Sequence, residues 1–192
     1  LSITIPTFLT LLRIVMIPVL VVAFYLPYPW ANELAVGIFI AAGLTDWADG
    51  WIARRYNMTS PFGAFLDPVA DKLIVAVALV LIVQRHPEVL LAISAAIILG
   101  REITISALRE WMAEIGQRAR VKVSAVGKSK TIFQMVAIGF LLYGEPLLGL
   151  PVLMIGRVLL VLAAVLTIWS MVVYLKAAWP VIRGRQASGE RA

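Results

Sequence analysis

Asp46 and Asp49 stand three residues apart, and Asp67 and Asp71 four apart, inside a chain that is 61% hydrophobic and only 15% charged. On a helix, both spacings place the paired side chains on one face. The first face reads Asp46, Asp49, Gly50, Ala53, Arg54, and the second reads Gly63, Asp67, Asp71. Between them, Ser60-Pro61 has the form of an N-cap followed by a first helical residue, and Asn57 is suited to ending the preceding helix. Two antiparallel helices joined by so short a turn pack side by side, so the two acidic faces can meet. Four carboxylates in one pocket repel each other unless positive charge joins them. Arg54, Arg55 and Lys72 could supply part of it, as a buried ion-pair network that fixes helix register. Hard divalent cations with oxygen ligands are the stronger reading, and two of them, about 3.5–4 Å apart, would engage all four aspartates. The chain has no cysteine, and its one histidine, His86, falls in a distant "QRHPE" loop. Magnesium or manganese is therefore favoured over zinc. Gly50, Ala53 and Gly63 leave room beside the carboxylates for a flat or bulky ligand, or alternatively for close helix packing.

The elements that must carry these residues are apolar helices. The mean hydropathy of +0.94 lies far outside the soluble range. Apolar runs near 7–28, 34–56, 62–84, 88–112, 131–149 and 151–178 each approach the ~20 residues that a spanning helix needs. The expected architecture is thus an all-α integral membrane protein of six transmembrane helices, with residues 1–182 as one catalytic domain and 183–192 as a basic, disordered cytoplasmic tail. Arg109, Arg118, Arg120, Lys122, Lys128 and Lys130 gather between the fourth and fifth runs, and Lys176, Arg183, Arg185 and Arg191 follow the sixth. Positive-inside bias puts these on the cytoplasmic side, so both termini face inward. The first run has no basic leader and no small-residue cleavage site, and reads as a retained span. A net charge of +6 raises the possibility of nucleic-acid binding, but the basic residues cluster at span ends, as anionic headgroups require.

The strings "DWADGWIAR" from Asp46 and, eight residues later, "GAFLDPVAD" to Asp71 match the pattern Asp-x-x-Asp-Gly-x-x-Ala-Arg, spacer, Gly-x-x-x-Asp-x-x-x-Asp. In this the chain resembles the CDP-alcohol phosphotransferase family. "IPTFLTLLRIVMIP", "REITISALREWMAE" and "VGKSKTIFQM" extend the resemblance to bacterial members that act on glycerol phosphate, over nearly the whole length. Thr4 and Thr7 depart from it, since such enzymes often carry asparagine there. The resemblance implies a homodimeric enzyme of the bacterial inner membrane with its site facing the cytoplasm. It would move the phosphatidyl group of CDP-diacylglycerol to sn-glycerol 3-phosphate and release CMP. By position, Asp46, Asp49, Asp67 and Asp71 would hold two Mg2+ or Mn2+ ions, and Asp71 would serve as general base. Gly50, Ala53, Arg54, Ser60 and Gly63 would contact the donor.

The acceptor is a dianion, so its site must be cationic and open to water. Arg101, Arg109, Lys128 and Lys130 are the expected residues: an i+8 spacing keeps Arg101 and Arg109 close to one face, while Lys128 and Lys130 begin the fifth run. The two lysines can equally be positive-inside anchors. Arg101 needs a partner at its depth, and Glu102 or a phosphate would serve. Transferases with other acceptors share the signature, cardiolipin-forming enzymes that use phosphatidylglycerol among them. An ion or proton transporter would also keep aspartates inside a bundle, but it would place them at the membrane midplane.

Overall fold

The computed structural model describes residues 4–56, 60–115 and 125–189, which form six α-helices and no strand. Helix α1 is Ile5–Tyr25, α2 Ala31–Tyr56, α3 Pro61–Arg85, α4 Val89–Glu114, α5 Ala125–Tyr143 and α6 Val152–Gly189. The starts of α1 and α3 follow one recipe. Thr4 and Ser60 are extended N-caps whose hydroxyls accept from Thr7 N and Gly63 N, with a proline in each first turn. Asn57 lies outside the described residues.

The expected fifth span, 131–149, is shifted toward the N-terminus. Helix α5 stops at Tyr143 because Gly144 takes φ +73°, and its N–H bonds to Phe140 O at 3.0 Å, an αL cap. A tight turn follows, with Leu148 and Gly149 both at positive φ between the paired Leu147 and Leu150. Helix α6 continues as helix past residue 182, where the sequence suggested a tail.

Helices α1, α4 and α6 are long and apolar enough to cross a membrane, over Ile5–Tyr25, Val89–Glu114 and Val152–Lys176. The charged residues on one face of α2 and α3 lower their hydropathy, although their outward sides are oily. Ile40, Leu44, Val80, Ile93, Ile103 and Val165 are each more than half exposed.

Inside, the bundle divides into two halves. Leu20 and Phe24 of α1, Ala35, Phe39 and Ala42 of α2, Ile74 to Ile82 of α3, Leu91 to Ile98 of α4, Ile138 to Leu142 of α5 and Leu160 to Ala164 of α6 make a dry core. Ser94 of α4 is buried within this apolar half, while beyond one or two turns α1, α2, α5 and α6 carry Thr7, Thr10, Arg13, Asp49, Lys130, Gln134 and Thr167, all buried. Alternating helix directions bring these polar positions to one end.

Arg85 closes the dry end. It donates to Asn32 Oδ1 at 2.7 Å, Phe24 O at 3.0 Å and Leu142 O at 3.3 Å, and its guanidinium lies 3.7 Å from the Phe24 ring centre. It thus ties α1, α2 and α5 to α3. His86, placed in a loop by the sequence, is half-buried as the C-cap of α3. Burial, with Arg157 and Arg85 nearby, holds its pKa below the ordinary 6.5.

Candidate active site

The two acidic faces do meet, and what joins them is a third helix. Asp46 and Asp49 come from α2, Asp67 and Asp71 from α3, and the buried guanidinium of Arg13 from α1 stands among all four. Arg13 Nη1 bonds to Asp71 Oδ1 and lies 3.3 Å from Asp46 Oδ1 and 3.8 Å from Asp67 Oδ1. Nη2 bonds to Asp49 Oδ2. Thr10, one turn before Arg13, donates its hydroxyl to Asp67 Oδ1 at 2.7 Å. Thr7, one turn earlier again, shares a 2.8 Å hydrogen bond with the Ser60 hydroxyl.

Neutralisation thus comes from α1 and not from Arg54, Arg55 or Lys72, which make no ion pair with the four aspartates among the described residues. Arg54 and Arg55 are exposed beyond Asp49, and Lys72 looks into a different cleft. The signal for Arg13 was in the sequence. Thr7, Thr10 and Arg13 recur every third residue through an otherwise apolar span, and an intramembrane arginine is costly unless paired.

Access divides the carboxylates. Asp49 is 1% exposed, whereas Asp46, Asp67 and Asp71 are 49%, 39% and 45% exposed. Three can therefore meet a ligand from outside, and the fourth is sealed behind Arg13. Among the described residues no three carboxylates are grouped closely enough to grip one ion. The donor set nonetheless fits a hard divalent cation: it is all oxygen, it already converges on one cation, and three members face solvent.

The expected donor contacts are placed beside this cluster. A Cβ on Gly50 would lie 3.3 Å from Arg54 Nη1, so the Arg54 guanidinium folds back along α2 over the glycine. Ala53 is half-buried on the same stretch. Ser60 and Gly63 meet the start of α1: a Cβ on Gly63 would stand 2.8 Å from Thr7 Oγ1 and 3.0 Å from Ser60 Oγ. That close approach is itself a reason for glycine at 63.

Three of the four expected acceptor residues have described side chains, and these divide between an ion-paired group and a cleft. Arg101 Nη1 and Lys130 Nζ both bond to Glu102 Oε1, at 2.7 and 3.0 Å, and Lys130 is buried. Arg109 instead lines a cleft of about 550 Å³ between α3, α4 and α6, with Lys72, Ser106, Glu110 and Tyr174. The Lys128 backbone is in α5, and its side chain lies outside the described residues.

With this geometry in hand, the likeness to known proteins is specific. Residues 3–169 match the CDP-alcohol phosphatidyltransferase family. A Salmonella choleraesuis protein named CDP-diacylglycerol–glycerol-3-phosphate 3-phosphatidyltransferase is 52% identical over 174 residues, which are 91% of this chain and 94% of the relative. Proteins of the same name from Pseudomonas fluorescens and Yersinia pestis (strain Pestoides F) are 51% and 53% identical. The first covers 92% of this chain and 90% of the relative, the second 93% and 96%. Matched over most of its length, and sharing about half its residues with relatives that it covers almost end to end, the chain belongs to the CDP-alcohol phosphatidyltransferase family.

Proposed function

We propose that the protein transfers the phosphatidyl group of CDP-diacylglycerol to sn-glycerol 3-phosphate, giving phosphatidylglycerophosphate and CMP. The observation that carries this reading is the convergence of Asp46, Asp49, Asp67 and Asp71 from two helices on one cationic point. Relatives that bear the name of this activity, at 51–53% identity, supply the acceptor. A divalent pair, Mg2+ or Mn2+, held by the four aspartates would neutralise charge on the pyrophosphate and on the departing CMP.

The chain's own residues do the rest. An acceptor hydroxyl oxygen forms a bond to the phosphorus that bears diacylglycerol, as the bond from that phosphorus to the CMP oxygen breaks. Asp71, on the open side of the cluster, takes the hydroxyl proton. Gly50, Ala53 and Arg54 on α2, with Ser60 and Gly63 at the start of α3, lie along the approach of nucleotide and pyrophosphate. The positive end of the α3 helix dipole favours phosphate there. Arg101, Arg109, Lys128 and Lys130 are the cations for the acceptor phosphate, with Arg109 in the open cleft and Lys130 behind Glu102.

The donor's tails stay in the bilayer. A largely apolar groove of about 690 Å³ between α2 and α5, lined by Gly37, Ile40, Leu44, Met135 and Gly139, begins two residues from Asp46 and suits an acyl chain. On this reading all six helices are membrane-embedded, both ends are cytoplasmic, the site opens to the cytoplasm of a bacterial inner membrane, and two copies associate. Residues 1–182 act as one catalytic unit.

The test is CMP release by the detergent-purified protein given CDP-diacylglycerol, Mg2+ and a panel of acceptors. Release with sn-glycerol 3-phosphate, and not with phosphatidylglycerol, serine or inositol phosphate, is the expected result. Preference for another panel member would refute the acceptor, and release with none would refute the reaction.

A further inference from the structure

We propose that Arg13 is the resident counter-cation of the ion-free site, and that a divalent ion enters by displacing its guanidinium from Asp46, Asp67 and Asp71. The inference rests on the reading of the four aspartates as a divalent-cation site, and it concerns how that site is held before the ion arrives. Without an ion, four carboxylates drawn from two helices would push α2 and α3 apart. Arg13 is the one cation that contacts all four among the described residues, and it is fully buried. It fills the position that an incoming ion must share.

The contacts separate into two groups. Nη1 faces Asp46, Asp67 and Asp71, which are open to solvent, while Nη2 faces Asp49, which is sealed. An ion arriving from solvent therefore meets the Nη1 contacts first and can leave the bond from Arg13 Nη2 to Asp49 Oδ2 in place, with the other Asp49 oxygen left for the ions. The third guanidinium nitrogen, Nε, is buried with no hydrogen-bond partner. No hydrogen bond at Nε therefore has to break when the guanidinium shifts. Charge favours the exchange. Four carboxylates against one guanidinium leave net negative charge at the cluster, and a doubly charged ion binds the same oxygens more strongly than a delocalised single charge.

The consequence is a competition with a defined sign. Removing the guanidinium should weaken the ion-free protein and strengthen ion binding, because the ion no longer displaces a resident partner. The experiment compares wild type, Arg13→Lys and Arg13→Gln in detergent, stripped with chelator, by thermal melting and by calorimetric titration with Mg2+. Arg13→Gln should melt below wild type in chelator, gain more from Mg2+, and bind Mg2+ about tenfold more tightly or better. Arg13→Lys, which keeps a charge, should shift less. Unchanged or weaker Mg2+ affinity in Arg13→Gln overturns the proposal, as does a melting point equal to wild type in chelator.

Should Arg13→Gln fail to fold, folded wild type labelled with 15N-arginine still decides the matter. The Arg13 side-chain resonance, identified by its absence from Arg13→Lys, should move on Mg2+ addition, and a stationary resonance refutes displacement. Wild type that binds no divalent ion also refutes it. Wild type that binds Mg2+ with the Arg13 response yet transfers nothing to glycerol 3-phosphate refutes the proposed acceptor and leaves this inference standing.

Discussion

Glu102→Gln is a demanding test of how charge is held in this bundle. The Glu102 carboxylate accepts from Arg101 at 2.7 Å and from Lys130 at 3.0 Å. The side-chain exposures are 28% for Glu102, 19% for Arg101 and only 3% for Lys130. A glutamine keeps the shape and one acceptor oxygen but removes the charge, so a buried ammonium loses its only counter-ion among the described residues. Breaking a fully buried pair in this way costs about 3–5 kcal/mol. Partial exposure of Glu102 lowers the expectation to about 2–3 kcal/mol. For a chain of this length that corresponds to a fall in melting temperature of roughly 4–12 °C.

The double substitution makes the reasoning refutable. Lys130→Met removes the ammonium and leaves Glu102 its Arg101 partner, so alone it should cost less than Glu102→Gln. In Glu102→Gln/Lys130→Met no unpaired ammonium remains, and the loss should be smaller than the sum of the two singles by about 1–3 kcal/mol. Melting curves of the four proteins in one detergent, followed by tryptophan fluorescence, measure that coupling. Losses that add to within about 0.5 kcal/mol would show that the two side chains do not depend on each other, and the account of Lys130 would fail.

Asp71→Asn should lower kcat in the CMP-release assay by about 10²–10⁴-fold while donor still binds, because an amide cannot take the acceptor's proton; wild-type turnover in this variant would remove Asp71 as the base. Gly63→Val should destabilise by about 1–3 kcal/mol, since the new Cβ would stand 2.8 Å from Thr7 Oγ1 and 3.0 Å from Ser60 Oγ, neither on a side chain long enough to swing clear. Adding Thr7→Ala should restore part of that loss in a melting experiment, and equal melting of Gly63→Val and wild type would contradict the close approach of α1 to α3.

Periodicity within single helices carried the sequence reading a long way. The stripes of α2 and α3 put the aspartates on facing surfaces, and Ser60-Pro61 marked the start of α3, because caps and i+3 or i+4 neighbours are local facts. Arg13 was not legible in the same way. No local rule says which of several helices reaches into a gap between two others, and the cations nearest in sequence, Arg54, Arg55 and Lys72, could be named only as partial partners beside the favoured divalent ions. The acceptor residues show how far a spacing argument reaches. Eight residues on a helix leave Arg101 and Arg109 about 80° apart, enough to send one to Glu102 and the other to the cleft with Lys72 and Tyr174. The end of α5 turned on whether Gly144 takes a left-handed conformation, which a stretch rich in Gly, Pro and Leu does not specify by composition.

The division into a dry and a polar half explains how so acidic a cluster can be held in place. Two carboxylates about 4 Å apart repel by about 4 kcal/mol at an effective dielectric near 20. One guanidinium cannot cancel that repulsion among four of them. In lipid the hydrophobic effect cannot supply the opposing force either, because the surrounding tails are as oily as the helices. Close packing can, and the dry half is built for it. Ala35 and Ala42 of α2, Ala78 of α3, Ala137 of α5 and Ala163 of α6 are fully buried and small enough for helix backbones to approach. At Gly156 a Cβ would stand 3.0 Å from Leu141 and 3.1 Å from Phe140, so α5 and α6 approach more closely there than a larger residue would allow without a shift. The helices that carry the aspartates, Arg13 and Lys130 are thus positioned mainly from their apolar ends, the buried ion pairs of Arg13 and Lys130 offset the cost of charge at the polar end, and Asp46, Asp67 and Asp71 stay open to a ligand.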